Sequence, residues 1–369
     1  MSTEVWFAPG RANLMGEHTD YNEGFVLPFA LAQGVTATAA ARDDGLLVLR
    51  SSQRPAAEPV TVPLESLAPG AVAGWAAYPA GVAWALRASG LDVAGASVDI
   101  DSDLPVGAGV SSSAALECSV ALALCSLSGL TVPPATLAAI AKRAENEFVG
   151  APTGIIDQSA ALLCEADHAL LLDCRTLATV QVPFQPSAAG ASALIVDTQV
   201  THALVSGEYA ARRAECEEAA RLLGVTALGR VTDPAAVERL DDPVLRRRAR
   251  HVVTDSLRAQ AIAAALQGAS TPDVYPIIGK LLTEGHASLR DDFEVSWPQA
   301  DAAVDVALDA GAFGAKMIGG GFGGSVLALM PADRGPAVRA ALTKGFVTAD
   351  WTPPEFLEAI PAPAARRLA

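Results

Sequence analysis

Short apolar runs bounded by Gly, Pro and Asp turns mark the first part of the chain. Glu4–Ala8, Phe25–Ala41, Leu46–Ser52 and Ala96–Ser102 each predict a strand. Between and after them the pattern lengthens. It predicts a helix over Trp75–Ser89, a second running from the serines 111–113 to Leu127, and a third from Pro133–Pro134 to about Phe148. A proline pair suits a first helical turn, where a missing N–H costs nothing. Gln158–Cys164 predicts one more short helix and Ala169–Cys174 a strand, and Pro183–Ser192 has the composition of a linker. Beyond it, Ala193–Asp197 is strand-like and long amphipathic helices are expected at Gly207–Leu223, Pro243–Leu266, Tyr275–Leu289 and Trp297–Ala310. The pattern closes on Ala315–Ile318, a glycine cluster and the strand-like Ser325–Met330. No internal repeat is visible, and the order of elements predicts an α+β protein of two domains.

Composition narrows the partners. The chain has 369 residues, 51% of them hydrophobic but only 5% aromatic, so its core is expected to pack small aliphatic side chains closely. A net charge of −15 opposes nucleic-acid and anionic-membrane binding, since both need a basic face. An anionic ligand would need a local device: backbone N–H groups, a helix N-terminus or a metal ion. The five cysteines, Cys118, Cys125, Cys164, Cys174 and Cys216, are scattered without a CxxC pair and read as free thiols. The N-terminus lacks the basic start and apolar run of a signal peptide, and no segment is apolar enough for a bilayer span. The expectation is a cytoplasmic monomer.

Two stretches carry candidate chemistry. In Leu104–Ala115, LPVGAGVSSSAA, Gly107 and Gly109 let the backbone curl around a ligand, and the serines stand where a helix begins. Unpaired N–H groups and the helix dipole favour an anion there, and the hydroxyls offer hard oxygen to Mg²⁺. An ordinary serine N-cap is the plainer alternative. The Walker consensus is absent. Gly319–Gly324 formally satisfies GxGxxG but runs into a strand rather than a helix, so the dinucleotide reading fails and a tight turn is expected. The second stretch, Ala8–Ala30, crowds Arg11, Asn13, Glu17, His18, Asp20, Tyr21 and Asn22 into one short segment, an array suited to neutral sugar hydroxyls.

The chain resembles the GHMP small-molecule kinases, and among them the galactokinases. Three motifs in family order carry the likeness: GRANLMGEHTDYNEGFVLP, LPVGAGVSSSAALE and GGGFGGS. Ala12, Met15 and Ser325 replace residues more usual there and read as packing changes. The resemblance implies a ribosomal-protein-S5-like N-terminal α/β domain (1–185), a ferredoxin-like α+β C-terminal domain (186–369) and an active site between them. It implies transfer of a phosphoryl group from ATP to the anomeric hydroxyl of galactose, with Mg²⁺ as cofactor. By position it assigns Asp157 and Arg11 to catalysis, and Glu17, His18, Asp20, Gly154 and Tyr209 to the sugar. Gly107, Ala108, Gly109, Val110, Ser111, Ser112 and Ser113 would hold the nucleotide, and Ser113 with Glu145 the metal.

Plainer roles remain open for several of these. Asp157 suits a helix N-cap, Glu145 a solvated helix face and Tyr209 mere packing. Arg212, Arg213, Glu215, Glu217 and Glu218 suit surface i,i+4 pairs. Another sugar 1-kinase, for N-acetylgalactosamine or arabinose, is the nearest enzymatic rival. A sugar-binding regulator is the rival from another class, although the intact serine loop, Asp157 and Arg11 favour an enzyme.

Overall fold

The computed structural model describes residues 3–105, 107–201, 205–268 and 273–368, so Val106 of the glycine–serine stretch lies outside the described residues. Among them the strands form three sheets. The largest centres on two long antiparallel strands, Thr3–Asn13 and Pro28–Arg42, and continues through Gly95–Ser102, Leu46–Ser51 and Val60–Pro63. Leu46–Ser51 and Gly95–Ser102 run parallel. A parallel pair needs a crossover, and helix Ala77–Ala88 lies in it. Helix Ser112–Leu127 packs on this sheet and is covered on its other sides by helices Ala77–Ala88, Pro134–Arg143 and Ile156–Leu163, so Ala114, Ala115, Ala121 and Ala123, spread around it, are all fully buried. Small alanine side chains allow this close fit on all sides.

The second sheet orders Gly314–Ile318, Ser325–Pro331, Ala191–Asp197 and Glu355–Glu358, all antiparallel. Helices Val274–Asp291 and Pro298–Asp309 cover it. A small third sheet joins Phe25–Val26, His168–Asp173 and Ala178–Pro183. The structure is thus α+β, as the pattern predicts.

Two large cores result. One lies under the first sheet; the other includes Val196, Cys216, Met317 and Leu342. Helix Pro243–Gly268 serves both: Val252 and Val253 enter the second core, Ile262 and Leu266 the first. The end of the chain also returns, pairing Arg366 and Arg367 with Phe7 and Trp6. Between the strands ending at Pro183 and starting at Ala191 there is a short connection with one turn at Ser187–Ala189.

Some elements depart from the pattern. Strands Val60–Pro63, Ala178–Pro183 and Glu355–Glu358 and helix Gly335–Thr348 were not expected from it. The third predicted helix is α only over Pro134–Arg143 and then widens to a π segment, Ala144–Val149.

Candidate active site

Strand Thr3–Asn13 delivers the first catalytic candidate through an irregularity. Its pairing with Pro28–Arg42 shifts register between Pro9 and Arg11, a bulge that re-aims the residues after it. Gly10 makes this possible, because a Cβ there would stand 2.7 Å from the Val110 carbonyl. The Arg11 N–H therefore bonds Val110 O at 3.1 Å. Its guanidinium gives Nε to Asp157 Oδ1 at 2.8 Å and Nη1 to Gly109 O at 2.6 Å. One side chain thus links the glycine–serine loop to the carboxylate.

Asp157 lies in the first turn of helix Ile156–Leu163, whose N-cap is Ile155. It is not a cap, so that plainer role is gone. Three residues earlier, Gly154 lies against Asp20: a Cβ at 154 would sit 1.6 Å from Asp20 Oδ2. Asp20 is held by the N–H groups of Tyr21 (2.9 Å) and Ile156 (3.4 Å). Burial and the nearby Asp157 push its carboxyl up from the ordinary range.

The loop Gly16–Asn22 is almost entirely buried and cross-braced. The Thr19 hydroxyl donates to Gly16 O and Phe25 O, each at 2.8 Å, and Asn22 Nδ2 donates to His18 O at 2.8 Å. Glu17 pairs with Lys316, while its other oxygen, Oε1, is buried without a partner. Burial pushes the Glu17 carboxyl up, and Lys316 is the strongest influence pulling it back. His18 sits in the left-handed region at φ +62°. Its Nε2–H donates to Gly320 O at 3.1 Å and its Nδ1 accepts from the Tyr21 hydroxyl at 2.9 Å. Burial lowers its pKa to about 3, so the ring is neutral. With both nitrogens engaged and Tyr209 and Phe293 against its faces, at 5.2 and 4.6 Å between ring centres, the ring buttresses the site.

On the opposite wall, Gly107, Gly109 and Ser111 take φ of +82°, +70° and +62°, so the loop curls by left-handed turns before helix Ser112–Leu127. Ser111 occupies the N-cap position without a capping bond, and its hydroxyl is buried with no partner. The simple N-cap alternative therefore fails. Ser113 Oγ donates to Glu145 Oε1 at 3.0 Å. Glu145, in the π segment, also accepts from Thr153 at 2.7 Å and Gln158 at 2.8 Å. At 4% exposure it is no solvated charge, and burial raises its carboxyl above the ordinary range. Among the described residues no three His, Cys, Asp or Glu side chains are gathered to hold a metal. A hydroxyl beside one carboxylate nonetheless matches a hard cation that keeps waters and phosphate oxygens as its other ligands.

Every catalytic, sugar, nucleotide and metal residue expected from the sequence except Ala108 lines one cleft of about 620 Å³: Arg11, Glu17, His18, Asp20, Glu145, Gly154, Asp157, Tyr209 and the rest of the 107–113 loop. Ala108 lies buried behind it, and its carbonyl accepts from Ser325 Oγ at 2.7 Å. Ser325 is thus more than a packing change, tying the glycine turn 319–324 to the glycine–serine loop. That turn connects two antiparallel strands, as the continuation of the sequence predicted. Asn13, singled out in the polar stretch near the N-terminus, lines the cleft with both amide atoms buried and unpartnered. Two contributions were not legible in the sequence. Gln158 bridges Glu145 and the buried Glu117. Lys316 reaches Glu17 from the other half of the chain. The helix arginines make their local pairs, Arg212–Glu215 and Arg213–Glu217, but also tertiary ones: Arg212 bonds Phe293 O and Arg213 bonds Pro152 O.

Comparison with known proteins bears on the same residues. The GHMP kinase N-terminal domain matches residues 77–165 and the GHMP kinase C-terminal domain residues 273–348. The galactokinase galactose-binding signature matches residues 2–41. The chain is 50% identical to the galactokinase of Streptomyces coelicolor over 99% of this chain and 94% of that one. The chain belongs to the galactokinases. It is also 43% identical to the galactokinase of Mycobacterium tuberculosis, over 98% of this chain and 99% of that one. The structure of Lactococcus lactis galactokinase complexed with galactose superposes with a TM-score of 0.94 at 32% identity, covering 100% of this chain and 95% of that one. Methanococcus jannaschii mevalonate kinase shares the fold at a TM-score of 0.67 and 16% identity, over 100% of this chain and 99% of that one.

Proposed function

We propose that this galactokinase-family chain transfers the γ-phosphoryl group of ATP to the anomeric hydroxyl of galactose, giving galactose 1-phosphate and ADP. The carrying observation is the reach of Arg11, which joins the nucleotide loop at Gly109 to Asp157, beside the sugar loop. The sugar lies against Glu17, Asp20, Gly154 and Tyr209, with the buried Asn13 amide adding a donor and an acceptor. His18 shapes this wall and holds the aromatic cluster in place. The triphosphate lies along the amides of residues 107–113, with the Ser111 hydroxyl as a further donor.

Phosphoryl transfer asks chiefly for position and charge stabilisation. The hydroxyl oxygen forms a bond to phosphorus as the bond from phosphorus to the ADP oxygen breaks. Asp157 takes the hydroxyl proton or orients the hydroxyl along the line of attack, and Arg11 fixes the Asp157 carboxylate while placing positive charge beside the transferring group. Ser113 and Glu145 would hold Mg²⁺, which when bound neutralises phosphate charge. The units 1–185 and 186–369 are taken as the two halves enclosing the cleft. Because one chain supplies every group named, we infer a monomer. No described helix is long and apolar enough to cross a membrane, and the five cysteines are free thiols, which supports a reducing cytoplasmic setting.

A coupled assay of ADP release with galactose and MgATP tests this reading, run beside N-acetylgalactosamine and arabinose. Galactose is expected to give the highest kcat/KM, and a higher value for another sugar would overturn the assignment. In Asp157→Asn, ATP binding persists while kcat falls on the order of 1,000-fold; near-normal turnover would remove Asp157 from the reaction.

A further inference from the structure

Three polar side chains from the second half of the chain converge on the short segment Gly16–Glu17. Asp255 Oδ2 accepts the Gly16 N–H at 3.0 Å, and His251 Nε2–H donates to the Glu17 carbonyl at 3.0 Å. His251 and Asp255 are four apart on helix Pro243–Gly268, so they share the face that meets this segment. Both are fully buried. They fix the backbone. The third, Lys316, addresses the carboxylate.

Lys316 occupies the middle of strand Gly314–Ile318. The two-residue period of a strand puts Ala315 and Met317 into the second core, whereas Ile318 joins the first. Lys316 therefore points from the C-terminal sheet toward the N-terminal half. Its ammonium is fully buried and bonds Glu17 Oε2 and, at 3.4 Å, the Asn13 carbonyl. It does not line the cleft, so it does not touch substrate. A pair buried this deeply is a poor stabilising device, since well-packed apolar residues in its place are often neutral or better. Its consequence is geometric. With Oε2 tied down, the carboxylate cannot rotate freely, and Oε1 is the oxygen left without a partner.

The geometry points to Lys316 as a positioning residue of the sugar site: it anchors one oxygen of Glu17 so that the other is presented in a fixed orientation to the sugar hydroxyls. This rests on the reading of Glu17 as a galactose ligand. The second half of the chain thereby sets the shape of a binding loop that belongs to the first.

A double-mutant cycle with Lys316→Met and Glu17→Gln tests it, using galactose affinity by calorimetry and the separate KM values for galactose and ATP. Lys316→Met is expected to weaken galactose binding about 30-fold or more, with the ATP KM within about twofold of the parent. Glu17→Gln should weaken galactose similarly, and the double variant should be no worse than Glu17→Gln within about threefold. Equal rises in both KM values, unchanged galactose affinity in Lys316→Met, or multiplied losses in the double variant would each overturn the proposal. Should Lys316→Met alone fail to fold because Glu17 is left unpaired, the double variant, a buried neutral pair, still decides by comparison with Glu17→Gln. If Glu17→Gln binds galactose normally, the sugar-site reading itself fails, which separates the two ideas.

Discussion

The two walls of the cleft are made by opposite means. The sugar loop, Gly16–Asn22, is a wall of buried side chains, each committed to a partner: Glu17 to Lys316, His18 to Tyr21 and Gly320, Asp20 to two backbone N–H groups. The nucleotide loop, Gly107–Ser113, is backbone bent through left-handed turns, with Gly107 and Ser112 exposed. On the proposed assignment of galactose to the first wall and ATP to the second, the difference follows the ligands. A neutral hexose is told from its isomers by the direction of each hydroxyl, which demands fixed donors and acceptors of both kinds. A triphosphate presents many equivalent oxygens, which N–H groups and a helix N-terminus satisfy without selectivity. Changes in the first wall should therefore be severe and confined to the sugar, and changes in the second milder and confined to ATP.

Gly154→Ala attacks the sugar wall hardest. The new methyl would overlap the Asp20 carboxylate, so either Asp20 leaves its two N–H donors or the backbone shifts and takes Asp157 with it. The expected result is a loss on the order of 100-fold in kcat/KM for galactose, because a misplacement of an ångström is enough for that. The ATP KM should stay within about threefold. An equal loss for ATP would mean that the segment 150–154 shapes both walls, and the contrast would collapse.

His18 offers a pH test of how committed the sugar wall is. Its ring pKa is about 3 in the folded chain against an ordinary value of 6.5. As pH falls below 6.5 the unfolded chain takes up a proton that the folded chain refuses, so this group's contribution to stability declines. In denaturant unfolding, the stability of the parent minus that of His18→Gln should decrease by about 1.4 kcal/mol per pH unit between pH 6 and 4. Taking the difference cancels the buried carboxylates Glu17 and Asp20, whose raised pKa values act in the opposite sense. A difference that grows on acidification would show a charged ring and a loosely held loop.

The same contrast governs what the sequence revealed. The longer strands of the first sheet and most of the long helices were legible because their apolar runs are bounded by Gly, Pro or Asp turns. The strand Ala178–Pro183 was lost because it lies mostly exposed and runs into the Pro-rich stretch, and helix Gly335–Thr348 because its opening Gly–Pro reads as a breaker before it reads as a helix start. Within the site, short motifs exposed Glu17, Asp20, Gly107–Ser113 and Asp157. Lys316 and Gln158 stayed hidden, since nothing local distinguishes a lysine on a strand or a glutamine on a helix until the fold supplies its partner 299 or 13 residues away. The plainer alternatives for Asp157 and Glu145 fell for the same reason: their partners, Arg11 and Ser113, come from other elements.

The smallest expected effect gives the sharpest contrast. Gly109 has φ +70°, and a Cβ there would meet nothing closer than the Ile318 carbonyl at 3.7 Å. Gly109→Ala therefore adds no clash. It only makes the left-handed turn less favourable, by about 1 kcal/mol for an L-residue. If the loop is a backbone cradle, that appears as about a fivefold rise in the ATP KM with the galactose KM unchanged, and Gly109→Asn, which tolerates this conformation better, should fall between parent and Ala. Steady-state kinetics on both variants reads the difference. Should the galactose KM rise as much, the Arg11 bond to Gly109 O would be transmitting loop strain to Asp157 and the sugar, and the two walls would have to be treated as one.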